Sequence, residues 1–113
     1  MTCIVHHIKG PAQSGKTTMA LGTLERLQKL GVAVVYITPT LKMAQHFKRI
    51  TTVPIISFAQ ALKRFPPEAR AAAVDEVGHM PWPAEGVWTE IKRNLERHPG
   101  LTELLLVETI EKP

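Results

Sequence analysis

Gly10, Gly15, Lys16 and Thr17 stand in the run Gly10-Pro11-Ala12-Gln13-Ser14-Gly15-Lys16-Thr17: a glycine, four residues, a second glycine, a lysine and a hydroxyl residue. The two glycines allow turns that a side chain would forbid, so that successive backbone N–H groups converge on one anion. A helix that starts at Gly15 or Lys16 adds the positive end of its dipole. Backbone donors, an ammonium, a hydroxyl and a helix N-terminus are together the chemistry of nucleoside triphosphate binding. Residues Gly10 to Thr18 then cradle the phosphates, Lys16 reaches the β and γ phosphates, and Thr17 offers an oxygen to Mg²⁺. The spacing arises by accident in roughly one chain of this length in several hundred. A Gly-rich surface turn with a stray lysine is therefore the weaker reading.

A second group of chemically capable residues closes the run Ala71-Ala72-Ala73-Val74-Asp75-Glu76. Three alanines favour a helix on propensity alone. A strand is expected instead, because an apolar run ending in two acids supplies the other half of a nucleotide site. Asp75 is suited to hold Mg²⁺ through water, since Mg²⁺ dehydrates reluctantly. Glu76 is suited to orient and polarise an attacking water as general base. Alone, such a pair reads as a helix start or a solvated turn. Behind a phosphate loop it reads as a site. The single Cys3 excludes an internal disulfide and a cysteine zinc cluster, and its place in the first strand predicts a buried thiol. His6, His7, His46, His79 and His98 show no metal-ligand spacing.

Positioning these groups requires strands that end, and a helix that begins, at one place. Residues 3–8 form a β-prone run directly before the loop. Ala20, Leu24, Leu27 and Leu30 fall on one helical face, and Gly31 is a C-terminal stop, predicting a helix over 15–30. Residues 32–37 are almost continuously apolar, as in a strand covered on both faces. Thr40 can cap a helix over 41–49. Residues 52–56 form a third strand, with Pro54 marking an edge or a strand start. Ser57 can cap a helix over 58–64 that Pro66-Pro67 ends. A loop over 77–86, a helix over 87–97 and a strand over 101–107 complete the chain. The expected fold class is α/β: a three-layer α/β/α sandwich with a mostly parallel sheet of about five strands. A parallel sheet gathers ligands at the carboxyl ends of its strands, so the first and fourth strands are expected to face one nucleotide.

The 113 residues suit a single domain, 1–113. The 44% hydrophobic fraction is ordinary for a globular protein, and no apolar run approaches bilayer-spanning length. A cytoplasmic protein without a membrane partner is expected. The net charge of +4 and a pI of about 9.5 suit an anionic partner, which nucleotide alone can satisfy.

Gly10 to Thr17 resembles a Walker A motif, and Ala71 to Glu76 a Walker B motif with an additional catalytic glutamate. Together they resemble the RecA-like branch of P-loop NTPases. That resemblance implies a last strand inserted between the Walker A and Walker B strands, with Glu108 or Thr109 as polar sensor. The closer resemblance is to the first motor domain of superfamily 1 and 2 helicases. Ile37-Thr38-Pro39-Thr40, with Gln45, resembles motif Ia; Ile55 to Ala59 resembles the next strand and turn; Asp75 to Met80 resembles motif II. It implies that Thr38 and Thr40 contact a nucleic-acid backbone. The chain departs from the pattern after Leu106, where the third helicase motif is missing, and His79 lies four residues beyond Asp75 instead of three. No second motor domain is expected, so autonomous unwinding is not.

The function expected is a minimal Mg²⁺-dependent ATPase, with Lys16 and Glu76 catalytic and with self-association or a protein partner completing the site. Arg70 and Arg93 are the candidate arginine fingers in cis. Lys42, Lys48, Arg49, Lys63, Arg64, Lys92, Arg93 and Arg97 read equally as a nucleic-acid face and as solvated sides of three helices. Trp82 suits a cap on the core better than a base-stacking platform, and Trp88 suits the core. Two other functions fit the motifs: a non-hydrolysing, nucleotide-dependent binding or interference module, and a small nucleoside kinase resembling thymidine kinases. The kinase reading lacks residues for an acceptor pocket and the cysteines of a zinc-bound lasso.

Overall fold

The computed structural model describes residues 4–10, 15–75, 93–98 and 100–109. Its elements are β1 (Ile4–Gly10), α1 (Lys16–Lys29), β2 (Val34–Thr38), α2 (Leu41–Lys48), β3 (Ile55–Ser57), α3 (Phe58–Lys63), β4 (Ala71–Val74) and β5 (Glu103–Thr109), with residues 93–97 also helical. The strands form one five-stranded, all-parallel sheet in the order β1-β5-β4-β2-β3. Helices cover both faces, giving the expected α/β/α sandwich.

Side-chain alternation divides the core in two. On one face Val34, Tyr36, Ala71, Ala73, Leu105 and Val107 pack with Ala20, Leu21 and Leu24 of α1 and Ala44 of α2. On the other, Val35, Ile37, Ala72, Val74, Leu104 and Leu106 pack with Phe58 and Ala61 of α3 and with Leu95. β2 is buried along its whole length, which is why it reads as a continuous apolar run. The alanines of β4 form a strand despite their helix propensity, because β4 lies between β2 and β5 and all four of its residues are buried. Tertiary pairing overrides a local preference worth tenths of a kcal/mol per residue.

Helix ends follow local chemistry. Gly31, with φ of 85°, closes α1 in a Schellman arrangement: Val32 N–H donates to Leu27 O and Gly31 N–H to Gln28 O, both at 3.0 Å. Thr40 Oγ1 accepts from Met43 N–H at 3.1 Å to cap α2. At α3 the capping box is complete, with Ser57 Oγ accepting from Gln60 N–H at 3.2 Å and Gln60 Oε1 accepting from Ser57 N–H at 2.8 Å.

Four strands are shifted from the sequence-based spans, β2 from 32–37 to Val34–Thr38. β1 runs to Gly10 and lies at the sheet edge, where Ile4 to His7 are exposed. β3 is the opposite edge and starts after Pro54, whose carbonyl still accepts from Tyr36 N–H at 2.9 Å. β5 begins at Glu103 and continues through Thr109, paired with β1 to its end. Cys3, the loop over 77–86, Trp82, Trp88 and the first part of the helix over 87–97 lie outside the described residues.

Candidate phosphate-binding edge

The ends of β1 and β4 and the start of α1 lie at the carboxyl edge of the sheet, and with them the described residues of both sequence motifs. β1 ends at Gly10, and α1 starts six residues later at Lys16. Gly15 is the N-cap of α1 at φ 83° and ψ 13°, a left-handed conformation that suits glycine. A Cβ there would meet nothing within 4 Å, so backbone conformation, not crowding, selects the residue. The first turn of α1 carries no acidic residue, and glycine has no side chain with which to cap it. Its leading N–H groups thus present a positive end suited to an anion. Lys16 is buried, Thr17 half-buried and Thr18 exposed.

β5 lies between β1 and β4, the insertion that the RecA-like resemblance implies. Two inter-strand spacings, about 10 Å, therefore separate the end of β1 from that of β4. Glu108 and Thr109 close β5 in register with Lys9 and Gly10. Asp75 follows β4 directly and is 2% exposed; its N–H donates to Ile37 O at 2.8 Å. This bond continues the β2–β4 ladder, so sheet and not loop fixes the Asp75 backbone. By the same alternation that sends Ala71 and Ala73 toward α1, Asp75 belongs to the α1 face of the sheet.

Thr38 is level with Asp75 on the adjacent strand and shares the face of Val34 and Tyr36. It is fully buried, and its Oγ1 has no hydrogen-bond partner among the described residues. The motif Ia resemblance implied a nucleic-acid contact for Thr38 and Thr40. In the fold the Thr38 hydroxyl has no exposed surface, and that of Thr40 caps α2. Thr38 instead becomes a neighbour of Asp75, a relationship that depends on which strand pairs with β4. A polar residue ending an otherwise apolar strand was the available signal.

Arg70 precedes β4 at the amino edge, where its Nη1 donates to Gly100 O at 3.4 Å. It lies a strand's length from Asp75, which removes it as an arginine finger in cis. The cations proposed as one nucleic-acid face are divided by the sheet: Lys42, Lys48 and Arg49 belong to α2 on one side, Lys63 and Arg64 to the end of α3 on the other. On α2, Lys42, Gln45, His46 and Arg49 line a shallow depression of about 300 Å³. Pro11, Ala12, Gln13, Ser14, Glu76 and Lys92 lie outside the described residues.

The donor set suits a hard cation beside phosphate: a hydroxyl from Thr17 and a carboxylate from Asp75, both oxygen ligands. The buried Thr38 hydroxyl adds a further oxygen on the same face. No protein-family model matches the chain, and no match is found among curated proteins.

Proposed function

We propose that this chain binds ATP with Mg²⁺ and hydrolyses it slowly to ADP and phosphate. The observation that carries the reading is the meeting, at one sheet edge, of a left-handed Gly15 opening a long helix, a buried Lys16 and a ladder-held Asp75 across an intervening strand. Phosphate oxygens accept from the loop and first-turn N–H groups, and Lys16 offsets charge on the β and γ phosphates. Thr17 and Asp75 are the residues that would hold Mg²⁺, which when bound neutralises charge developing on the phosphates. Glu76 accepts a proton from the attacking water as its oxygen bonds to the γ phosphorus and the bond to the β-phosphate oxygen breaks.

Turnover is slow in the lone chain. An arginine finger is commonly worth about 10³ to 10⁵ in rate, so a second copy or a protein partner accelerates it. The test is ATP binding and steady-state hydrolysis across a protein-concentration series, with Glu76→Gln and Lys16→Ala as controls. Turnover that rises with concentration and disappears in Glu76→Gln supports the reading. ATP binding without hydrolysis under any condition would replace it with the binding-module function, and no ATP binding would end both.

A further inference from the structure

The amino edge of the sheet, opposite the phosphate loop, carries an unusual surface. Each of α1, α2 and α3 returns the chain from the carboxyl end of one parallel strand to the amino end of another, so their C-termini gather there. α1 ends with Arg26 and Lys29, α2 with Lys48 and Arg49, and α3 with Lys63 and Arg64; all six are exposed. No Asp or Glu occurs between Glu25 and Glu68, the stretch that supplies the C-terminal ends of α1, α2 and α3.

Apolar side chains accompany the charge. Leu30 and Ile50, 79% and 62% exposed, are the two most exposed large hydrophobic residues described. They flank turns that are tied together: Thr52 Oγ1 donates to Gln28 Oε1 at 2.9 Å, and Gln28 Nε2 donates to Thr52 O at 3.2 Å. Leu62, near the end of α3, is also exposed. Other charges at this edge are Arg70 and Arg97 on one hand and Glu25, Glu68, Glu96 and Glu103 on the other. Apart from Glu25, the acids belong to the β4, β5 and 93–97 side. Cations ending helices also stabilise the helix dipole. That explains basic residues in last turns, but neither the acid-free stretch nor the exposed Leu30 and Ile50.

We infer that this edge is a peripheral docking surface for an anionic lipid bilayer. Basic residues grouped at one level match a charged plane, each worth about 1 kcal/mol near anionic lipid. Leu30 and Ile50 are aliphatic, suited to the acyl boundary. A single-stranded nucleic acid would favour exposed aromatic platforms, and none of the described Phe and Tyr residues is exposed. A protein interface would be depleted in lysine. No helix among the described residues is long and apolar enough to cross a membrane, and surface docking needs none. A peripheral membrane partner thus departs from the sequence-based expectation of no membrane partner, while agreeing with the lack of a spanning helix among those residues. Docked this way, the chain turns Gly15 and Asp75 away from the bilayer. The inference stands independently of ATP hydrolysis.

The test is cosedimentation of the full chain with phosphatidylglycerol–phosphatidylcholine vesicles and with pure phosphatidylcholine vesicles, at low and high salt. Association only with the anionic vesicles, weakened by salt, is expected. Lys29→Gln and Arg49→Gln should each lower the partition coefficient roughly fivefold. Leu30→Ser/Ile50→Ser, exposed changes that leave all charges in place, should lower it further at constant salt, with circular dichroism checking the fold. No association with anionic vesicles at low salt overturns the inference. So does vesicle binding indifferent to Leu30 and Ile50, or single-stranded DNA binding that is tighter and equally salt-sensitive, either of which marks a general polyanion surface.

Discussion

The N–H of Asp75 donates to the carbonyl oxygen of Ile37 at 2.8 Å, one rung beyond the last residue pair of β4 and β2. The candidate metal-binding carboxylate therefore stands on the rigid end of a central strand. Asp75→Asn keeps the shape and this backbone bond while removing the charge. Mg²⁺-dependent turnover or Mg²⁺ affinity should fall roughly 10- to 100-fold, as for other groups that act on a metal through water. Steady-state hydrolysis against Mg²⁺ concentration measures this, and calorimetric melting should show a folded protein.

Thr38 and Asp75 are level on neighbouring strands, and the Thr38 hydroxyl is buried without a described partner. Replacing an unsatisfied hydroxyl by a methyl of the same shape is near neutral or stabilising for the fold. Thr38→Val should thus preserve or raise the melting temperature while lowering Mg²⁺-ATP turnover. Reduced stability with unchanged turnover would assign the hydroxyl to folding alone.

Gly15→Ala tests backbone strain without a steric clash, since its Cβ meets nothing within 4 Å while φ is 83°. The left-handed conformation costs an L-residue about 1–2 kcal/mol. A lower melting temperature is expected, together with weaker ATP binding as the chain shifts φ and turns the leading N–H groups of α1. Titration with a fluorescent ATP analogue reads the second effect.

Ser57→Ala removes one arm of the capping box at α3, on the sheet face away from α1. It should cost about 1 kcal/mol in chemical denaturation. ATP affinity should not change, so this variant separates general destabilisation from effects on the candidate phosphate-binding edge.

Much of the architecture is written in local chemistry. The Gly15-Lys16 helix start, the Gly31 stop, the Thr40 and Ser57 caps and the apolar run of β2 each act within a few residues, so their types and spacing define them. The Gly10 to Thr17 pattern and the Asp75-Glu76 pair are spotted for the same reason, as candidates for a site. Strand order is not local. That β5 inserts between β1 and β4, leaving β1 an exposed edge, follows from long-range pairing. So does the strand conformation of Ala71 to Ala73, whose own preference is helical. Only the tertiary structure sets Thr38 beside Asp75, moves Arg70 to the far edge, and divides the basic helices between two faces while gathering their ends at the amino edge. Such relationships depend on register and on which surfaces share a core, and a side chain's neighbours across a sheet leave no mark in its own sequence position.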